Sequence, residues 1–254
     1  MSVIDTRLPA LLREPQPLLG MFVGLPAPAL VEMSAHVGFD FVIIDNEHGP
    51  AGFETTEHML RAARSSGILP VVRTLETDIL RVLDLGASGI QIPAVNTAEQ
   101  ARRIVAAAKY PPTGTRGAAF STRAAGYGFF GGEPHVKASN EGIAVIVMAE
   151  TRQAIDNLDA ILAVPGVDVV FFGPNDLSFS LGYPGQMQHP EVVAVIEHGV
   201  RRTVAAGVAP GVLVANAEQF QQWAKLGVRY LPMVITGLLG SAMKAAVAGC
   251  RTAR

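Results

Sequence analysis

The chain has 254 residues, 49% of them hydrophobic and 17% charged, enough to bury a large core in one α/β domain or two small ones. A formal net charge of −2 with no Lys/Arg-rich run leaves no electrostatic footprint for nucleic acid or an acidic membrane surface, so small molecules are the expected partners. Cys250 is the single cysteine, which excludes a disulfide framework and a thiolate metal site. The opening MSVIDTRLPALLREP has no basic flank before an apolar stretch, and no run is long enough to span a membrane, so the expected location is the cytoplasm.

Eight short runs rich in Val, Ile and Phe follow one another along the chain: GMFVGL (20–25), FVIID (41–45), LPVVR (69–73), GIQIP (89–93), IAVIVMAE (143–150), DVVFFG (168–173), APGVLV (209–214) and VRYLPMV (228–234). Their near-continuous apolarity marks strands buried on both faces, as in a parallel sheet covered by helices. Segments of helical period lie between them at 54–66, 97–110, 152–164, 190–207 and 217–227, several ending at a Gly that reads as a C-cap. Eight βα units over this length predict a single-domain (β/α)₈ TIM barrel spanning 1–254, with its active site at the C-terminal ends of the strands. An open doubly wound sheet is the runner-up, and no strand here is followed by GxGxxG. Residues 110–141, rich in Gly, Pro and aromatics, break the rhythm as a long functional loop. The last helix, 237–250, is too apolar for a solvated end and is expected to pack on another subunit.

The chemistry gathers at strand ends. Glu150 closes the fifth run and Asp176 lies just past the sixth, so two carboxylates on one side of the sheet can hold a hard divalent cation through oxygen. Either acid alone would read as readily as a helix N-cap. After the second run, Asp45, Glu47 and His48 cluster where a strand opens into its loop. His48 could serve as a general base, with Asp45 orienting its ring. Arg73 ends the third run, where a buried guanidinium needs an anion, either a substrate oxygen or an internal partner such as Glu47 or Glu150. Gly173 and Pro174 shape a turn that brings the backbone of Asn175 and Asp176 toward a substrate carboxylate. TGTRG (113–117) resembles an anion-binding loop by composition, and Asp84 reads as an ordinary solvated acid. No lysine stands at a strand end, which disfavours a Schiff-base mechanism.

The segments IIDNEHGP, VVRTLETD, VLDLGASGIQIPAVNTAEQA, YPPTGTRG, AET and GPNDLSFSLGYPG together resemble the HpcH/HpaI aldolase/citrate lyase family. The likeness is to its class II pyruvate aldolases of the 4-hydroxy-2-oxo-heptanedioate and 2-dehydro-3-deoxyglucarate type, over about residues 20–245. The resemblance implies a barrel that exchanges its terminal helix between subunits in a homo-hexamer, a trimer of dimers. It also implies a divalent cation, Mg²⁺, Mn²⁺ or Co²⁺, held by Glu150 and Asp176. Arg73 would then face the enolate oxygen of a 2-oxoacid, His48 with Asp45 would act as base, and Asp84 would lie near a neighbouring subunit's site. The expected reaction is the reversible cleavage of a 4-hydroxy-2-oxoacid to pyruvate and an aldehyde.

The chain departs from that pattern at Met148, where these aldolases usually carry Gln, and at Asn46, where Gly is frequent. A thioether in place of an amide predicts a more apolar substrate pocket. Two other functions are compatible with the residues: a CoA-thioester lyase of the citrate lyase β-subunit or malyl-CoA type, and a non-catalytic barrel that binds a 2-oxoacid.

Overall fold

In the computed structural model, which describes residues 3–252, eight parallel strands close on themselves in chain order, β1 through β8, with β1 pairing back to β8. The strands are β1 (Leu18–Val23), β2 (Phe41–Asp45), β3 (Leu69–Arg73), β4 (Gly89–Ile92), β5 (Ala144–Met148), β6 (Val169–Phe172), β7 (Ala209–Val212) and β8 (Tyr230–Val234). All eight apolar runs contain strands, each strand lying within its run except β1, which starts two residues earlier. Helices join them: α1 (Leu8–Leu11) ahead of the barrel, α2 (Pro28–His36), α3 (Phe53–Ser66), α4 (Ile79–Asp84), α5 (Ala98–Ala108), α6 (Glu133–Gly142), α7 (Arg152–Asp156), α8 (Leu158–Leu162), α9 (Pro174–Ser180), α10 (Pro190–Ala205), α11 (Ala217–Lys225) and α12 (Ile235–Thr252).

Two apolar clusters explain why the strands read as continuous hydrophobic runs. Side chains two apart on a strand share a face. One set, including Phe41, Ile43, Leu69, Val71, Ile146, Val169, Phe171 and Tyr230, fills the barrel interior, while the alternate set, including Val42, Ile44, Val72, Val145, Val147 and Val170, packs under the helices. Inside, the rings of Phe41 and Tyr230 stack at 4.2 Å, and Phe171 meets Tyr230 edge-on at 6.2 Å. This fit requires Gly20, since a Cβ there would lie 2.1 Å from the Phe41 ring. Leu8 and Leu12, on and just after α1, are buried in the same interior cluster as the starts of the strands.

Local signals set the helix ends. Thr97 and Gln100 form a reciprocal capping box on α5, Thr151 caps α7 and Asn216 caps α11. Gly67 ends α3 in the left-handed conformation, φ +77°, as its C-cap reading predicts.

Two expectations need correction. The stretch 110–141 is not a loop throughout: it contains a 3₁₀ segment, Arg123–Gly128, and helix α6, started by Glu133 and Pro134. The helix expected over 152–164 is two short helices broken at Asn157. No helix among the described residues is long and apolar enough to cross a membrane.

Candidate active site

The inward-facing series on several strands ends in polar chemistry at the C-terminal mouth. Phe41 and Ile43 are followed on that face by Asp45, Leu69 and Val71 by Arg73, and Ile146 and Met148 by Glu150. Asp45 and Arg73 border a cavity of about 240 Å³ whose polar side also includes Asn175, Asp176 and Thr236 and whose apolar side is Phe22, Met148, Phe171, Leu213 and Val234, while Glu150 lies against Gly173 in its wall. A neighbouring cleft of about 250 Å³, lined by residues such as Val212, Trp223, Met233 and Leu238, has no acid or base in its walls and so lacks the means for this chemistry.

Arg73 is held from two sides. Its Nε and Nη2 donate to the two oxygens of Asp45 at 2.8 and 2.6 Å, Nη1 lies 3.2 Å from Glu47 Oε2, and the guanidinium sits 4.9 Å over the Phe22 ring. Burial alone would raise the Asp45 pKa, but the hydrogen bonds and charge of Arg73 outweigh it and hold the acid below the usual carboxylate range. The same pair keeps Arg73 above its ordinary value against its own burial. Of the internal partners considered from sequence, Glu47 is one; the closer one, Asp45, was expected to serve His48 instead.

The Asp45–His48 pairing is therefore corrected. Asp45 Oδ1 accepts the backbone N–H groups of Glu47 and His48 at 3.1 and 3.3 Å, but the imidazole makes no hydrogen bond to it. Its side chain is 69% exposed, with Nε2 3.9 Å from Glu47 Oε1. His48 is not among the residues that line the cavity, and its ring is not oriented by Asp45.

Glu150 is buried at 5% exposure. Its Oε1 accepts the Ala94 N–H at 2.7 Å, whereas Oε2 has no hydrogen-bond partner. Gly173 leaves room for it, because a Cβ there would come within 2.6 Å of Oε2. Burial pushes the Glu150 pKa up to about 7; the Ala94 N–H opposes this, while the negative charges of Asp176 and Glu47 add to it. Asp176 itself is exposed, in the first turn of α9.

No group of three or more His, Cys, Asp or Glu among the described residues is arranged as a metal site. The two carboxylates nevertheless fit a divalent cation. A buried, unpartnered oxygen and a pair of repelling acids are the electrostatic state that an oxygen-seeking cation relieves, and two protein ligands leave positions open for substrate.

Two expectations fall outside this cavity. Asp84 ends α4 and accepts a 2.8 Å hydrogen bond from Arg116 Nη2, and neither residue lines the cavity. The Arg116 side chain is fully buried over the Tyr110 ring, and Gly114 is pressed against the carbonyls of Ala106 and Lys109, so TGTRG is packing against α5 and not an open anion loop. The sequence reading also missed Phe22, Leu213, Val234 and the backbone of Ala94. Three of these are apolar and lie within the runs already marked as strands, where nothing separates a cavity wall from core.

Residues 18–237 match the family described as HpcH/HpaI aldolase/citrate lyase. The chain is 39% identical over 234 residues to 2-keto-3-deoxy-L-rhamnonate aldolase of Escherichia coli strain K12, covering 91% of this chain and 87% of that protein. Among solved structures, an HpcH/HpaI aldolase/citrate lyase family protein from Burkholderia cenocepacia J2315 superposes with a TM-score of 0.92 at 31% identity, covering 97% of this chain and 100% of the other. A citrate synthase, SbnG, superposes with a TM-score of 0.87 at 31% identity over 96% and 97% of the two chains. With a closed barrel behind these likenesses, the chain belongs to the HpcH/HpaI aldolase/citrate lyase family and is a carbon–carbon lyase of its aldolase type.

Proposed function

We propose that this enzyme reversibly cleaves a 4-hydroxy-2-oxoacid to pyruvate, or a related 2-oxoacid, and an aldehyde, using a divalent cation held by Glu150 and Asp176. The observation that carries this reading is the unpartnered Glu150 Oε2, buried against Gly173 in the wall of the cavity that Arg73 and Asp176 line. Mg²⁺, Mn²⁺ or Co²⁺ bound there would draw charge from the keto group and acidify the C3 protons.

The protein's own groups account for the remaining steps. The first turn of α9 leaves the N–H groups of Asn175 and Asp176 without intrahelical acceptors, so they can receive the oxoacid carboxylate, with Gly173 and Pro174 shaping the approach. In cleavage, His48, in the loop that follows Asp45, takes the C4 hydroxyl proton. The C3–C4 bond breaks, its electron pair moves toward C2 and the keto oxygen, and the aldehyde leaves. Arg73 faces the developing enolate charge with a guanidinium already fixed by Asp45 and Glu47, so little reorganisation is needed. A proton delivered to C3 completes the turnover.

Phe22, Met148, Phe171, Leu213 and Val234 make one wall apolar. That wall favours a short, lightly hydroxylated aldehyde over a polyol. The enzyme is further proposed to work as a homo-oligomer, a trimer of dimers, in which α12 packs on another subunit and Asp84 approaches a neighbour's site. Support comes from α12, whose Leu238, Met243 and Val247 are exposed in the isolated chain.

Incubating pyruvate with a panel of aldehydes, with and without chelator, tests the reading. Metal-dependent 4-hydroxy-2-oxoacid formation is expected. Acetyl-CoA release from malyl-CoA without any aldol product would instead place the chain with the thioester-cleaving members of the family.

A further inference from the structure

Ala94 has φ +52°, a left-handed backbone conformation that an alanine adopts only when its surroundings impose it. The loop after β4 shows what imposes it. Asn96 donates from Nδ2 to the Ala94 carbonyl at 3.1 Å, and its Oδ1 accepts the Thr151 hydroxyl. Asn157 Nδ2 donates to the Asn96 carbonyl at 2.8 Å, and the Val95 N–H donates to the Met148 carbonyl at 3.1 Å. The Asn96 N–H is taken up by Gln100 Oε1 at 2.7 Å. These bonds tie the β4 loop to the residues on either side of Glu150 in the chain. The outcome is that the Ala94 N–H donates to Glu150 Oε1, while Gly173 on the other side carries no side chain to collide with Oε2, which stays buried and unpartnered.

We infer that Asn96 is a positioning residue: with Thr151 it locks Ala94 in the left-handed conformation, so that the Ala94 N–H fixes the Glu150 carboxylate with Oε2 alone turned to a metal ion. The inference rests on Glu150 being a metal ligand. A freely rotating carboxylate would lose orientational freedom on binding a cation, whereas one already capped on Oε1 does not, and partners of this kind typically carry tenfold or more in metal affinity.

The experiment measures Mn²⁺ binding to the metal-stripped full-length protein by the loss of the free-ion paramagnetic resonance signal, alongside thermal melting. Wild type and Glu150→Gln come first. If Glu150→Gln binds Mn²⁺ as well as wild type, the assignment of Glu150 as ligand fails and the inference falls with it. Given a Glu150→Gln defect, Asn96→Ala is expected to raise the Mn²⁺ Kd about tenfold or more. Ala94→Gly, which keeps the N–H and adopts positive φ without strain, is expected to bind within about twofold of wild type. Thr151→Val, lacking the hydroxyl that bonds Asn96, should share the Asn96→Ala defect and carries the test if Asn96→Ala does not fold. Thr151→Ser should restore binding. Wild-type Mn²⁺ affinity in folded Asn96→Ala or in Thr151→Val would overturn the positioning role even if the melting temperature fell, because stability and metal affinity would then be independent.

Discussion

Arg73 and Asp45 occupy paired register positions at the ends of β3 and β2 and are joined by two parallel hydrogen bonds, Nε to Oδ1 at 2.8 Å and Nη2 to Oδ2 at 2.6 Å. The fork geometry belongs to a guanidinium, and lysine cannot reproduce it. Arg73→Lys is expected to keep the charge and still lower kcat/KM for aldol cleavage by roughly 10²–10³-fold, the scale of one lost transition-state donor. Steady-state kinetics with any accepted aldehyde check this.

The same pair has an acid limb. Asp45 titrates lower in the folded protein than in the unfolded chain, so its contribution to stability is complete above about pH 4 and is lost as pH falls through its depressed value. Asp45→Asn should cost about 2 kcal/mol near neutrality, through weakened charge-assisted hydrogen bonds, and should show a shallower loss of stability as pH falls below about 4. Denaturant melts at neutral pH and below about pH 4 give both quantities.

Glu150 has the opposite sign. With its folded pKa near 7 against an ordinary 4.5, the native protein holds a proton that the unfolded chain releases, so stability falls as pH rises between those values. The full effect is on the order of 3 kcal/mol. The metal-free Glu150→Gln protein should therefore gain on wild type as pH increases from about 5 to 8. Added Mn²⁺ should restore stability at pH 8 to wild type but not to the variant.

Much of the architecture was legible because each strand is buried on both faces, which leaves an unbroken apolar run bounded by turns. Glu150 and Asp176 stood out for the same reason, as acids at or just past the ends of such runs. What could not be read was which groups face each other. The Asp45–Arg73 bond depends on the register of β2 against β3, and the burial of Arg116 on Asp84 depends on how 110–118 folds over α5. Helix α6 was hidden because the glycines before it and Pro134 inside its first turn signal a turn, although Pro in the first turn starts a helix well. The break at Asn157 was hidden too, since its side chain bonds to Asn96, sixty-one residues away.

Met148 is 3% exposed on the apolar side of the cavity, on the same strand face as Glu150. An amide there would restore a polar contact. Met148→Gln is expected to shift kcat/KM toward polyhydroxylated aldehydes by up to about 1–3 kcal/mol of selectivity, measured as the ratio between a sugar-derived and a short alkyl aldehyde. An unchanged ratio would reduce Met148 to a packing residue.

Helix α12 leaves Leu238, Met243 and Val247 open in the single chain. Sedimentation at micromolar concentration is expected to show an oligomer, and Met243→Glu, which places a charge on that face, should weaken assembly. A monomeric wild type would remove the proposed subunit contact.

The most direct test of the account is exchange of the pyruvate C3 protons with deuterated solvent, followed by mass spectrometry with no aldehyde present. The metal-stripped enzyme is predicted to be silent, to gain exchange when Mg²⁺, Mn²⁺ or Co²⁺ is added, and to lose roughly 10²-fold or more of that rate in both Glu150→Gln and Asp176→Asn. Exchange that persists in the presence of chelator, or at wild-type rate in both variants, would contradict the assignment of these two carboxylates as the centre of the chemistry.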